Sequence, residues 1–252
     1  MQNPLREFFY QNTEGPAIHK WEHYFDIYHR HFSSFQDKPI RILEFGIGQG
    51  GSLRMWKNYF GKQAQIFGVD IDPACKALED DGIQIFIGDQ EDRAFLRSIR
   101  DIVKTVDIVI EDGGHTMRQQ IATFEEIYPM VNESGVFLIE DLHTSYWPGF
   151  YEGGYLRKTT FIEYSKRLID QLNAWHTRSP SQFKVDNFTS STRSMHFYDS
   201  VVVFEKGCVK KPVSLSMGVN TLSSDFSWKP KHGLIKKVFK KMRRLYEKMR
   251  WE

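Results

Sequence analysis

Residues 106–150 read VDIVIEDGGHTMRQQIATFEEIYPMVNESGVFLIEDLHTSYWPGF. Two apolar runs, 106–110 (VDIVI) and 136–139 (VFLI), each end in acids: Glu111-Asp112-Gly113-Gly114-His115 and Glu140-Asp141-Leu142-His143. Short apolar runs bounded by glycine and acid turns predict buried parallel strands. The segment between them, 117–131, has helical spacing at Ile121, Phe124, Ile127 and Tyr128 and predicts a crossover helix. Such a strand–helix–strand unit is right-handed, so both strands point the same way. Asp112, His115, Glu140 and Asp141 are thereby expected at one rim of one sheet, where open α/β sheets bind ligands. Carboxylates crowded there raise one another's pKa unless a cation sits among them. Oxygen donors of this kind suit Mg²⁺, Mn²⁺ or Ca²⁺. The bland alternative makes Glu140 and Asp141 caps of the next segment and His115 a loop histidine.

Upstream, 40–45 (IRILEF) predicts the first strand. It runs into Gly46-Ile47-Gly48-Gln49-Gly50-Gly51 and a helix over 52–59 opened by Ser52. A second strand, 66–69, ends in Asp70. This is a glycine-rich nucleotide-binding loop followed by a ribose-binding acid. Glu44 narrows the cofactor. A dinucleotide pyrophosphate needs backbone amides at this loop and is repelled by a nearby carboxylate. S-adenosylmethionine has no phosphate and carries an ammonium and a sulfonium, so Glu44 favours it. The alternatives are an NAD-dependent oxidoreductase on the same loop, with Glu44 capping the loop amides, and a non-catalytic binding protein. A third strand, 83–87, leads to Gly88-Asp89-Gln90. There Asp89 and Gln90 meet the adenine edge, or Asp89 caps a helix over 93–102. Asp112, at the end of the fourth strand, touches both cofactor and metal in this reading.

Strands at 194–198 and 201–205 flank Asp199-Ser200 and close the sheet with an antiparallel last strand. The expected fold is α/β and Rossmann-like: a mostly parallel seven-stranded sheet with helices on both faces. A helix over 161–175 is expected to turn Ile162, Ser165, Leu168, Ile169 and Leu172 inward. The aromatic loop after Asp141, with Tyr146 and Trp147, suits a flat, hydroxylated substrate or else is pinned to the body. Residues 1–37 form an N-terminal helical segment. Trp21, Tyr24, Phe25 and Tyr28 lie on one face of a helix over 19–32, either packed on the sheet or a partner subunit, or serving as a lid.

The 252 residues are 40% hydrophobic and 26% charged, enough for one α/β core with additions. The net charge of +2 hides a split. From Lys229 onward ten Lys/Arg face two acids, leaving 24 basic and 30 acidic residues in the body. An acidic body argues against nucleic-acid binding. The stretch 234–252 predicts a basic amphipathic helix after a linker over 207–233. It would dock on a membrane surface, or pack on a partner or on the body. Cys75 and Cys208 lack metal or disulfide spacing. Residues 1–10 lack the apolar core of a secretory leader. The expectation is a cytoplasmic protein, at most at the inner membrane surface.

Together LEFGIGQGGSLRMWKNYF, GVDID, EDGGH, LIEDLHTSYWPGF and SMHFYDSVVVFEK resemble the macrocin-type, metal-dependent sugar O-methyltransferases of antibiotic biosynthesis. The cephalosporin-hydroxylase-like and rhamnosyl O-methyltransferase relatives are similar too. The resemblance covers 18–206 and rests on the joint presence of D-G-x-H and I-E-D-x-x-T-x-Y-W. It implies a methyltransferase domain over 38–206 of class I type, and a sugar-hydroxyl acceptor on a glycan, glycolipid or glycosylated natural product. It also implies Mg²⁺ on Asp112, Glu140 and Asp141, His115 as base with His143 as the alternative, and a homo-oligomer. Gly114 departs from the usual Ser at a position that carries neither role. The longer N-terminal domains of those relatives have no counterpart here, so substrate recognition by them is not carried over.

Overall fold

A computed structural model describes residues 3–219 and 221. Seven strands form one sheet: β1 (Arg41–Phe45), β2 (Gln65–Asp70), β3 (Ile83–Ile87), β4 (Val106–Glu111), β5 (Val131–Ile139), β6 (Thr192–Tyr198) and β7 (Val201–Lys206). Their order is β3-β2-β1-β4-β5-β7-β6, with β7 antiparallel to both neighbours and the other pairs parallel. This is the class I methyltransferase arrangement expected from the sequence. The strand order reverses direction between β1 and β4, the switch point at which such sheets open a ligand crevice.

Alternation along the strands builds a core on each face. Ile42, Ile108, Ile110 and Leu138 face helices α1 (Pro4–Gln11), α2 (Tyr24–Phe32) and α3 (Gly51–Phe60), which contribute Leu5, Phe25, Phe32 and Trp56. Leu43, Val109, Phe137 and Phe204 face α4 (Arg93–Val103), α5 (Met117–Ile127) and α6 (Phe161–Leu172), with Leu96, Ile99 and Phe124 at the centre. A short helix, α7 (Asn187–Ser191), precedes β6.

Several boundaries differ from the sequence reading. The helix expected over 19–32 begins only at Tyr24, and Trp21 is half-exposed outside it. Helix α1 was not expected, although Asn3 accepts amides from Leu5 and Arg6 and Pro4 sits at the first helical position. The 161–175 helix ends at Leu172 with Ile169 exposed, and a short 3₁₀ turn follows. Asp92, not Asp89, caps α4. Strand β5 starts five residues earlier than the apolar run suggests. Residues 207–219 contain neither helix nor strand, and the expected basic helix over 234–252 lies outside the described residues. Among the described residues no helix is long and apolar enough to cross a membrane.

Candidate active site

The rim is built from the carboxyl ends of β1, β2, β4 and β5. Gly46 takes φ +79° with its Cα facing the Asp112 carbonyl, and a Cβ there would collide with that backbone. Gly48 takes φ +47° and faces open space, so a ligand can approach its backbone. A cavity of ≈330 Å³ opens beside them, lined by Gly46, Gly48, Asp70, Asp89, Gln90 and Asp112 among others. Asp70 accepts the amides of Ile47 (3.1 Å) and Gly48 (3.0 Å), which fixes the glycine loop from the far side. Gln90 is buried. It donates to the Glu111 carboxylate and to Thr123 Oγ1 (3.1 Å), and accepts the Gly114 amide (3.2 Å).

A second cavity of ≈280 Å³ lies on the other side of the glycine loop and shares Gly46, Gly48 and Asp112 with the first. Residues 17–20, Ser52, His115 and Asp141 complete it. Asp112, His115 and Asp141 each present a donor atom within 4.8 Å of the other two. His115 Nε2 stands 3.4 Å from Asp141 Oδ2 and 3.9 Å from Asp112 Oδ1, while its buried Nδ1 has no partner. The carboxylates of Asp112 and Asp141 are the oxygen donors a hard divalent cation prefers, and His115 stands beside them with one nitrogen unsatisfied. Burial pushes the His115 pKa down, so the imidazole is neutral near pH 7. Both His115 (φ +55°) and Asp141 (φ +54°) sit in the left-handed region, a strain that collects at functional sites.

Glu140 is placed differently. Its carboxylate is sealed from solvent and meets Lys20 Nζ at 3.0 and 3.1 Å and the Tyr28 hydroxyl at 2.6 Å. Lys20 also pairs with Asp112. Desolvation pulls the Lys20 pKa down, but Asp112, Glu140 and Glu44 pull it up further, so the ammonium stays charged. Tyr24, one helical turn before Tyr28, donates to Asp141 at 2.7 Å. The N-terminal segment therefore supplies one cation and two hydroxyls to the acid cluster.

The geometry has close relatives. The chain is 35% identical over 189 residues to the 8-demethyl-8-alpha-L-rhamnosyl tetracenomycin-C 2'-O-methyltransferase of Streptomyces olivaceus, covering 71% of this chain and 49% of that protein. It is 34% identical over 189 residues to the demethylmacrocin O-methyltransferase of Streptomyces fradiae, covering 71% and 47%. The structure superposes on MycE methyltransferase of the mycinamycin biosynthetic pathway, in complex with Mg, SAH and mycinamycin VI. The TM-score is 0.71 at 32% identity, covering 81% of this chain and 54% of that one. The chain belongs to this sugar O-methyltransferase family. It spans about half the length of the curated relatives it matches. No family profile matches it.

Two of the expected site residues, Glu44 and His143, also make contacts within the protein. Glu44, read as facing the cofactor, is fully buried behind the loop. It accepts Ser52 Oγ and Trp56 Nε1, both at 3.0 Å, rather than loop amides. Ser52, its hydrogen-bond donor, lines the second cavity. Burial raises the Glu44 pKa from 4.5 to about 7. An acid whose folded pKa is raised stabilises the fold fully below its unfolded pKa and loses that contribution as pH rises through the folded one. Glu44 alone is expected to withdraw up to roughly 3 kcal/mol between about pH 4.5 and pH 7, and Glu44→Gln removes that component of the slope in urea titrations across the range. An unchanged slope in the variant removes the assignment.

His143, the alternative base, hydrogen-bonds Ser200 Oγ through Nδ1 at 2.6 Å. It also packs between Trp21 (5.6 Å between ring centroids) and Trp147 (4.9 Å). Tyr146 and Trp147, the expected substrate residues, are half-exposed. Lys20, Trp21, Tyr24 and Tyr28 were missed as site residues. Their aromatic spacing reads as packing, and nothing local marks Lys20.

Proposed function

We propose that this protein transfers the methyl group of S-adenosylmethionine to a hydroxyl of a sugar, carried on a natural product, glycan or glycolipid. The observation that carries the reading is the pair of cavities meeting at Asp112, one lined by the glycine loop and ribose-type acid, the other by acids and a neutral imidazole. That division separates a nucleoside-binding arm from an acceptor arm. The names of the relatives, rhamnosyl tetracenomycin-C and demethylmacrocin among them, support a sugar on a polyketide scaffold as acceptor.

In this reading Gly46, Gly48, Asp70, Asp89 and Gln90 bind the nucleoside, and Ser52 with Glu44 behind it stabilises the cationic end. Asp112 and Asp141, with Glu140 as third carboxylate, would hold Mg²⁺, which supplies a lowered pKa to a coordinated hydroxyl. His115 takes the hydroxyl proton, and Asp141 at 3.4 Å stabilises the imidazolium that results. Tyr24 orients Asp141 for both roles. Trp147, Tyr146 and Trp21 offer apolar faces to the sugar ring and help exclude water. Alignment of oxygen, methyl and sulfur then follows from two rigid arms sharing one wall.

The test is methyl transfer from labelled S-adenosylmethionine to a panel of rhamnosylated and other glycosylated polyketides, with and without EDTA. Metal-dependent label in a glycoside is expected. Full transfer in excess EDTA overturns the metal assignment. Absence of both transfer and S-adenosylhomocysteine binding overturns the enzyme reading. We further infer a cytoplasmic homo-oligomer without nucleic-acid contacts. Liposome co-sedimentation with and without residues 234–252 tests the membrane-surface reading of that stretch.

A further inference from the structure

A second cluster of metal-ligating side chains lies apart from the catalytic residues. His31 comes from α2, His196 from the edge strand β6 and Glu205 from β7. Each presents a donor atom within 4.8 Å of the other two. His31 Nδ1 is 2.9 Å from Glu205 Oε1, and His196 Nε2 is 3.5 Å from Glu205 Oε2. The two imidazole centroids are 4.8 Å apart.

We propose that His31, His196 and Glu205 form a binding site for Zn²⁺ or another late first-row divalent ion, stapling α2 to the β6–β7 edge.

Three features carry this. The donor set is two nitrogens and one carboxylate, which suits zinc and its neighbours and not Mg²⁺ or Ca²⁺, which prefer oxygen. The site is half open. His31 is buried with a side chain 2% exposed, while His196 and Glu205 are about a third exposed, leaving a mouth for a water as fourth ligand. Outer contacts are in place. His31 Nε2, the nitrogen turned away from Glu205, lies 2.8 Å from the Tyr198 hydroxyl. Such a partner fixes the ring so that the other nitrogen faces the metal. Ser194 Oγ holds Glu205 Oε2 at 2.8 Å; it also lies 3.0 Å from His196 Nε2, a contact that a bound ion would displace.

The site has a structural purpose the fold makes plain. Helix α2 delivers Tyr24 and Tyr28 to the acid cluster. An ion bridging its last turn to two strands of the sheet would hold that helix in register.

The experiment is Co²⁺ and Zn²⁺ titration of tag-free full-length protein, read by visible d–d absorption, by competition with a chromogenic zinc chelator and by thermal unfolding. Wild type is expected to show a low-symmetry nitrogen/oxygen cobalt spectrum, one equivalent of zinc at this site and a raised Tm. His196→Ala is expected to lose the spectrum and weaken zinc beyond the roughly 10–100-fold that removal of an outer-shell partner costs. Asp112→Asn with Asp141→Asn is expected to keep the spectrum, which separates this site from the catalytic acids. If His196→Ala fails to fold, Glu205→Gln, which preserves shape, takes its place. Indistinguishable cobalt spectra and zinc stoichiometry in wild type and the variant overturn the proposal and leave the cluster as a hydrogen-bond latch.

Discussion

His115→Asn is expected to slow methyl transfer by about 10³-fold, within the range a positioned general base contributes, while S-adenosylhomocysteine affinity stays unchanged. Asparagine is the appropriate replacement because His115 holds φ +55° and Asn tolerates that conformation better than Ala. The loss should fall on kcat, since His115 lies in the acceptor arm and outside the lining of the nucleoside arm. The neutral state of the imidazole gives the expectation a pH signature: wild-type activity falls on the acid side as His115 protonates, and the variant's residual rate lacks that limb. His143→Asn is expected to cost much less, because Ser200 already engages its Nδ1. Should His143→Asn prove the more damaging of the two, the base would be reassigned.

The second large effect concerns Lys20. Lys20→Met is expected to destabilise the metal-free protein by about 3–5 kcal/mol, the cost of removing one partner of a buried ion pair. The Lys20 side chain is 2% exposed and Glu140 1%, so water does not replace the lost ammonium. Asp112 and Glu140 would be left facing each other, and burial already pushes both upward in pKa, with repulsion from Asp141 acting on Asp112 and from Asp112 on Glu140. A divalent ion offers the same carboxylates a substitute charge. Titration with MgCl₂ or MnCl₂ is therefore expected to raise the Tm of the variant more than that of wild type. A variant as stable as wild type in EDTA, with no greater response to either salt, would show that Lys20 is not the counter-charge of this cluster.

Strands β1 to β5 were legible because each carries a short apolar run punctuated by glycine or acids, and buried parallel strands need little else; β6 and β7 were legible as a pair flanking the Asp199-Ser200 turn. The rim acids were legible for the same reason: once β4 and β5 are parallel neighbours, Asp112, His115, Glu140 and Asp141 must share an edge. What failed was register and reach. Trp21 was read on the helical face because it continues the spacing of Tyr24, Phe25 and Tyr28. The chain instead runs without regular structure through residues 17–21 and delivers Lys20 to carboxylates 92 and 120 positions away. Helical periodicity carries no information about such partners. Glu44 stands out in the sequence, but its partners do not: alternation on β1 puts its carboxylate against Ser52 and Trp56. The His31 cluster was invisible for a similar reason: its members are separated by 165 and 174 residues, and only the antiparallel closure of the sheet joins them.

Those separations have a consequence during synthesis. Helix α2 is among the first elements made, yet the partner of His31 on β7 is made 174 residues later. At about 5–20 residues per second on the ribosome, Phe25, Tyr28 and Phe32 wait roughly 9 to 35 s before their seat is complete. During that interval Trp56 and Phe60 already cover part of the stripe, and its contact with β7 is what is missing. Yield in cells should then depend on translation speed and on holdase chaperones more than the stability of the finished fold would suggest.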